Sequence, residues 1–196
     1  DLLLEANQRM NLTRITERAE AELQHVADAL TLLPHLPRTP ESEPQARPGS
    51  IRLADVGTGG GVPGIPLAIA RPDITVMLIE STKKKAAFLR DTIEKLGLTN
   101  VSVSDWRVED VGHSNSRDSF DVAAARAVAT LEWLAEWCLP LVKKGGKVLA
   151  MKGPKVMDEL PLAKRAIKLG GGAEPVVHPV DLAGTEHRVI VEIPKA

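Results

Sequence analysis

The run Asp55-Val-Gly57-Thr-Gly59-Gly-Gly61-Val-Pro-Gly64 constrains this chain more than any other feature. Gly59, Gly61 and Gly64 fit the spacing G-x-G-x-x-G, and Gly57 extends the pattern backward. The run directly follows IRLADV (51–56), which reads as a buried strand, and leads into GVPGIPLAIA, which reads as a short helix. A turn of residues without Cβ atoms, set between a strand and a helix, lets a nucleotide-like ligand approach the backbone closely. The competing reading is a glycine-rich connector without function, and the strand–turn–helix placement speaks against it.

The remainder of the chain repeats the alternation. ITVMLIE (74–80), VSVS (101–104), FDVAAA (120–125) and GKVLAM (146–151) read as strands. Helices are expected from Thr82 to Leu96, stopped by Gly97, then over 130–142, and from Pro154 to near Gly170. VVHPV and HRVIVEI look like two closing strands. Near-continuous apolar strands alternating with helices argue for an α/β fold, a parallel sheet covered on both faces. This domain spans residues 51–196. Before it, residues 1–33 read as an N-terminal helical segment, two helices parted by NLTRIT, with Leu23, Val26, Ala27, Leu30 and Leu33 at helical spacing. Residues 34–50 hold five prolines and read as a linker or surface loop.

Composition excludes several classes. A hydrophobic fraction of 43% and a charged fraction of 26% belong to a globular protein with a real core. No run approaches the ~20 apolar residues of a membrane-spanning helix. One cysteine, Cys138, excludes a disulfide framework and a multi-cysteine zinc site. The net charge of −1 favours neither nucleic acid nor membrane. Residues 143–168 are locally basic, with eight lysines and arginines against Asp158 and Glu159. The chain opens at Asp1 inside an apparently helical stretch and is read as a fragment or processed form, so the absence of a targeting peptide is no evidence about compartment.

Glu80 ends the second strand, twenty-one residues after Gly59, where an acid can accept hydrogen bonds from both ribose hydroxyls of an adenosine. Loop and acid together predict an adenosine-containing cofactor across the carboxyl ends of the strands. A nicotinamide dinucleotide and S-adenosylmethionine both use this geometry. Asp55 leans toward the second, because a carboxylate at the mouth of the loop suits the methionine amino group or positive centre better than a pyrophosphate. The 196 residues also leave little room for a dehydrogenase's separate substrate domain.

DVGTGGGVPGIPLAIARPD resembles the cofactor loop of the small-subunit ribosomal RNA guanine-N7 methyltransferases, the RsmG or GidB family. Further segments resemble that family in order: NLT at Asn11–Thr13, H-x-x-D from His25 to Asp28, KK-x-x-FL near Lys84 to Leu89, and RVE at Arg107–Glu109. R-A-x-A-x-L from Arg126 to Leu131, W-C at Trp137–Cys138, MKG at Met151–Gly153 and HR-x-[IV]-V at His187–Val191 complete the series. The resemblance covers Asn11 to Ile193. It implies a Rossmann-like, class I S-adenosylmethionine-dependent methyltransferase fold with a seven-stranded, mostly parallel sheet. It also implies S-adenosylmethionine as donor, S-adenosylhomocysteine as product, and one guanosine of small-subunit (16S) rRNA, free or in a ribosomal particle, as acceptor. Gly57, Thr58, Gly59, Gly61 and Val62 match the cofactor loop, Val108 and Glu109 the pair flanking the adenine, and Arg126 the arginine that closes over the cofactor.

The expected chemistry is spare. Guanine N7 carries an in-plane lone pair and no proton, so it attacks a sulfonium methyl without a general base, and the enzyme mainly supplies position. The sequence offers no Ser/His/Asp or Cys/His constellation and no metal-ligand cluster; His35, His113 and His178 give no signal. Arg126 and Lys152 follow strands and are the expected catalytic positioning residues, pointing into the cleft. Lys83, Lys84, Lys152 and Arg188 are the expected RNA contacts, with Lys85 and the 143–168 cluster forming a basic rim. Trp133 and Trp137, one helical turn apart, read as core, and His25 with Asp28 reads equally as a structural pair or a substrate contact. The protein is expected to be monomeric, free of metal and membrane, and cytoplasmic in a bacterial-type cell, with an organelle of bacterial descent left open. The alternatives are a methyltransferase acting on a protein or small molecule, a non-catalytic ribosome assembly factor with the same fold, and, last, a nicotinamide oxidoreductase.

Overall fold

The computed structural model describes residues 1–38, 51–185 and 187–196, so most of the proline-rich segment expected to be a linker lies outside the described residues. Seven strands form one sheet: β1 (Ile51–Val56), β2 (Ile74–Ile79), β3 (Val101–Ser104), β4 (Phe120–Arg126), β5 (Val142–Lys152), β6 (Val176–Pro179) and β7 (Val189–Pro194). Their spatial order is β3-β2-β1-β4-β5-β7-β6. The first five run parallel, and β7 pairs antiparallel with both β5 and β6. The connection reverses direction between β1 and β4, and at such a switch point the ends of the strands leave a crevice.

Among the described residues, eight α-helices follow in chain order: α1 (Leu2–Met10), α2 (Arg18–Ala21), α3 (Asp28–Leu30), α4 (Gly64–Ala70), α5 (Lys83–Leu96), α6 (Val108–Gly112), α7 (Leu131–Cys138) and α8 (Val156–Leu169). One face of the sheet packs Leu53, Val76 and Leu149 against Ile65 and Leu67 of α4, Leu89 of α5, and Leu32 and Leu36. The other packs Ala54, Phe120 and Val148 against α6, α7 and α8 through Val111, Leu134 and Ile167. This two-sided burial explains why the strands read as near-continuous apolar runs.

Three expectations shift. The helix expected over 130–142 ends at Cys138, because Pro140 cannot continue it and Leu141 and Val142 turn into β5. β5 starts earlier than the GKVLAM segment suggested, with a register break between the pairs Phe120–Val142 and Val122–Lys147. The start of the expected linker is packed structure: Leu33–His35 form a 3-10 turn and Leu36 is buried against the sheet.

The N-terminal segment holds the largest difference. Between α2 and α3, residues Glu22–Ala27 form a π-helical stretch, so the chain runs from Arg18 to Leu30 with one wide turn inside it. The buried residues are Ala21, His25, Asp28, Ala29 and Leu32, while Val26 is about half exposed. A constant 3.6-residue period predicted the stripe Leu23, Val26, Ala27, Leu30, Leu33. The buried positions keep helical spacing but lie on a different face from that stripe, one that turns two polar residues, His25 and Asp28, inward. No helix among the described residues is long and apolar enough to cross a membrane.

Candidate active site

The glycine bend sits where β1 ends beside β2 and β4. Gly57 and Thr58 donate their N–H groups to the Ile79 carbonyl at the end of β2, at 2.9 and 3.2 Å. Gly59 adopts φ +57°, in the left-handed region that favours glycine, and a Cβ there would meet nothing nearer than the Gly57 carbonyl oxygen at 4.0 Å. That direction is open space beside the strand ends, a cradle of the kind a nucleoside needs. Gly64 serves packing instead: a Cβ there would lie 2.3 Å from Leu78 and 2.7 Å from the Asp55 carboxylate.

Two carboxylates hold the bend. Glu80 is 8% exposed; its Oε2 accepts the Gly59 N–H at 3.1 Å and its Oε1 the Thr82 N–H at 2.8 Å. Asp55 is fully buried; its Oδ2 accepts the Thr58 hydroxyl at 2.5 Å and the Gly64 N–H at 2.8 Å. Burial pushes the Asp55 carboxyl up to about 6, against the pull of those two hydrogen bonds. This corrects the expectation for Asp55. It lines neither of the two cavities that flank the bend, and it braces the loop from inside.

Those two cavities share Gly57, Gly59, Lys85 and Ala127 in their walls. The smaller, about 400 Å³, is bounded by Glu80 and Ser81 at the end of β2, by Trp106 to Glu109 entering α6, and by Val128 and Trp137. Its acidic residues are Glu80 and Glu109. The larger, about 730 Å³, lies between the bend and the N-terminal segment and is lined by Arg14, Lys85, Arg126 and Arg188, with no acidic residue among the described ones. Ala127 joins them in a left-handed conformation, φ +54°, which costs a residue with a Cβ roughly 1–2 kcal/mol. Such strain is held in place where the surroundings over-determine it.

A polar network closes the larger cavity. Arg126, 12% exposed in its side chain, donates to the Gln24 carbonyl at 2.5 Å, to Asp28 Oδ2 at 3.2 Å and to His25 Nδ1 at 2.9 Å. A guanidinium only donates, so His25 Nδ1 accepts and its Nε2–H faces the Thr13 hydroxyl at 2.9 Å. Burial, then the Arg126 charge, pull His25 below the ordinary imidazole value, so it is neutral near pH 7. Arg188 approaches Asp28 Oδ2 at 3.9 Å. Thr13, His25, Asp28, Arg126 and Arg188 come from four separate sequence segments and meet in one place.

The remaining expected residues divide. Thr58, Val62, Arg126 and Arg188 line the larger cavity, and Val108 and Glu109 the smaller. Gly61 faces away from both, toward Ile65 and Leu89. Lys83 and Lys84 are exposed and line neither; the next residue, Lys85, lines both. Lys152 is corrected outright. Its ammonium pairs with Glu159 at 2.7 Å and donates to the Ala129 carbonyl at 2.9 Å, so it ties β5 to α8 and the loop before α7. The basic rim from 143–168 also dissolves: Lys143 pairs with Asp121 and Lys147 with Glu192, on the early half of β5, while the strand ends at the site are at its other end. Trp133, read as core, is 53% exposed, and Trp137 lines the smaller cavity.

Arg14, Arg107 and Trp106 are site residues that sequence reasoning did not assign a role. Arg14 adjoins the NLT segment and Arg107 opens the RVE segment, which was the available signal. Cys138 is buried in α7, and burial raises its thiol to about 12, so it offers no nucleophile.

A family model described as rRNA small subunit methyltransferase G matches residues 1–187. The chain belongs to that family. The protein named Ribosomal RNA small subunit methyltransferase G from Moorella thermoacetica is 44% identical over 196 residues, covering 99% of this chain and 78% of that one. The protein of the same name from Lactobacillus helveticus is 43% identical over 195 residues, covering 98% and 78%. Among solved structures, a geranyl diphosphate methyltransferase in complex with SAM has a TM-score of 0.61 at 16% identity, covering 87% of this chain and 85% of that chain. A SAM-dependent O-methyltransferase from Thermotoga maritima has a TM-score of 0.58 at 15% identity, covering 99% and 71%. The fold of this methyltransferase G family member is therefore the class I S-adenosylmethionine-dependent methyltransferase fold.

Proposed function

We propose that this chain transfers a methyl group from S-adenosylmethionine to N7 of one guanosine in small-subunit (16S) rRNA. One observation carries the reading: two cavities of different charge balance share the glycine bend. The smaller sets Glu80 and Glu109 against Lys85 and Arg107 and has an open glycine cradle, which suits an uncharged ribose and adenine. The larger presents four cations and no acid among the described residues, which suits a phosphate-bearing polymer. Membership in a family named for small-subunit rRNA selects the polymer.

When bound, the donor supplies a sulfonium methyl, an electrophile that needs no activation by the protein. The chain's own residues supply position. Glu80 fixes Gly59 and so the floor of the cradle. Ala127 lines both cavities, and Val128 beside it lines the smaller. Arg126 holds the wall of the larger cavity through its contacts to Gln24, His25 and Asp28. No general base is called for, and the network provides none: the His25 Nδ1 lone pair is engaged by Arg126. Orientation of this kind contributes up to ~7–11 kcal/mol to a barrier in the ideal case. The same reading has the chain act as a monomer in the cytoplasm of a bacterial-type cell, where its rRNA substrate is assembled.

The test is mass spectrometry of small-subunit rRNA lacking the modification, before and after incubation with protein and S-adenosylmethionine. One added methyl group on one guanosine is the expected result. Donor binding without any methyl gain on rRNA or on ribosomal particles overturns the substrate. Methyl transfer that survives ribonuclease treatment of the substrate points to a protein or small-molecule acceptor instead.

A further inference from the structure

Away from both cavities, the fold brings together a trio with the donor set of a metal site. His35 ends the 3-10 turn of the N-terminal segment, His178 lies in β6 and Glu192 in β7. One ligand atom from each falls within 4.8 Å of the others. His35 Nδ1 is 3.7 Å and His178 Nε2 3.5 Å from the same oxygen, Glu192 Oε2. The two imidazole centroids are 4.5 Å apart, with the rings tilted by 53°. Around an ion with bonds of about 2.0–2.1 Å, neighbouring ligand atoms lie roughly 3.3–3.6 Å apart, so the pairs to Glu192 are already near that spacing.

Two further features point to a ligand. The His178 Nε2 atom is buried with no hydrogen-bond partner, an orphaned lone pair or N–H turned toward the carboxylate. Glu192 is held from behind: Lys147 donates to its other oxygen, Oε1, at 3.2 Å, which leaves Oε2 to the imidazoles. The side chains keep 19%, 33% and 20% exposure at His35, His178 and Glu192, enough for an ion to enter.

We propose that His35, His178 and Glu192 bind one divalent cation of the zinc class, with the remaining coordination position left to water. Two imidazole nitrogens and one carboxylate oxygen are a borderline donor set, preferred by zinc and its neighbours over magnesium or calcium. The Lys147 ammonium, close to the same carboxylate, repels a cation and makes the site weaker than a closed four-ligand zinc centre. None of the three ligands lines either cavity flanking the bend, so the ion takes no part in the proposed methyl transfer. It would instead tie the N-terminal segment to the β6–β7 edge of the sheet.

The experiment is calorimetric titration of the tag-free, metal-free full chain with zinc chloride at pH 7.5. One ion per chain is expected, with a rise in Tm on addition. His178→Ala and Glu192→Gln should each weaken binding by more than the about 10–100-fold that loss of an outer-shell partner costs. His113→Ala, at an exposed imidazole outside the trio, should leave it unchanged. Cobalt(II) should give intense visible absorption with the parent chain and none with His178→Ala. His35→Gln serves as a third ligand variant should circular dichroism show either of the others to be unfolded. Absence of zinc binding, or binding that survives the ligand variants, overturns the proposal.

Discussion

The two halves of the candidate site are held by different means. On the sheet side, the cradle is made of backbone: Gly59, Thr82 and Gly64 give their N–H groups to Glu80 and Asp55, carboxylates at the ends of adjacent strands. On the N-terminal side, the wall is made of side chains: Arg126 reaches across about a hundred residues to Gln24, His25 and Asp28. The first arrangement is local and follows from the strand–turn–helix; the second exists only once the N-terminal segment has docked. Damage to the first should appear in donor binding, and damage to the second in the order of the N-terminal segment.

The largest effect expected on that contrast is Gly59→Val. A branched side chain projects into the cradle, and S-adenosylmethionine binding by calorimetry should be lost. Gly64→Ala should instead destabilise the fold, by roughly 1–3 kcal/mol, because its Cβ meets Leu78 and Asp55. Donor binding by Gly59→Val at parental affinity would break the assignment of the cradle.

Next comes Arg126→Ala. It leaves buried Asp28 with only the more distant Arg188 guanidinium, 3.9 Å away, and breaking a buried pair from one side costs up to roughly 3–5 kcal/mol. Hydrogen exchange should localise the loss to residues 1–36 while β1 and β4 stay protected.

The two sides also differ in their response to pH. Asp55 holds its proton more tightly in the folded protein, at about 6, than the ordinary 3.8. Its contribution to stability is therefore full below pH 4 and is lost as the pH rises through 6, a change of about 3 kcal/mol. Stability measured relative to Asp55→Asn should fall by that amount between pH 4 and pH 7. His25 has the opposite sign: its folded value is depressed, so its contribution is present at neutral pH and is lost as the pH falls. Denaturant titrations of His25→Gln and the parent chain should diverge less at pH 5 than at pH 7.5.

The smallest effect is that of Glu80→Ala. Lost charge-assisted hydrogen bonds should weaken donor binding by roughly 1–3 kcal/mol, and the unfolding midpoint should fall as well, because the Gly59 and Thr82 N–H groups lose their acceptor. Unchanged affinity removes Glu80 from the site.

The same contrast explains what could be read from the residues in order. The sheet side was legible, because buried strands declare themselves as apolar runs and the bend by its glycines. The N-terminal side was legible only as matching segments; its geometry was not, because face assignment follows the apolar stripe, whereas His25 and Asp28 are buried by a partner distant in the chain. Lys152 looked free since nothing in a linear reading shows that Glu159, in the next helix, folds back to it. The cluster at 143–168 looked like one patch because a strand followed by a returning helix scatters what the chain lists together. His35, His178 and Glu192 gave no signal for the same reason.

The pairing of Asp28 with Arg126 also sets an order of events during synthesis. The aspartate leaves the ribosome 98 residues ahead of its guanidinium. At about 5–20 residues per second it stays hydrated and unpaired for roughly 5–20 s. This wall of the larger cavity thus forms only after β1 and β2, the strands that carry the glycine bend and Glu80, have emerged.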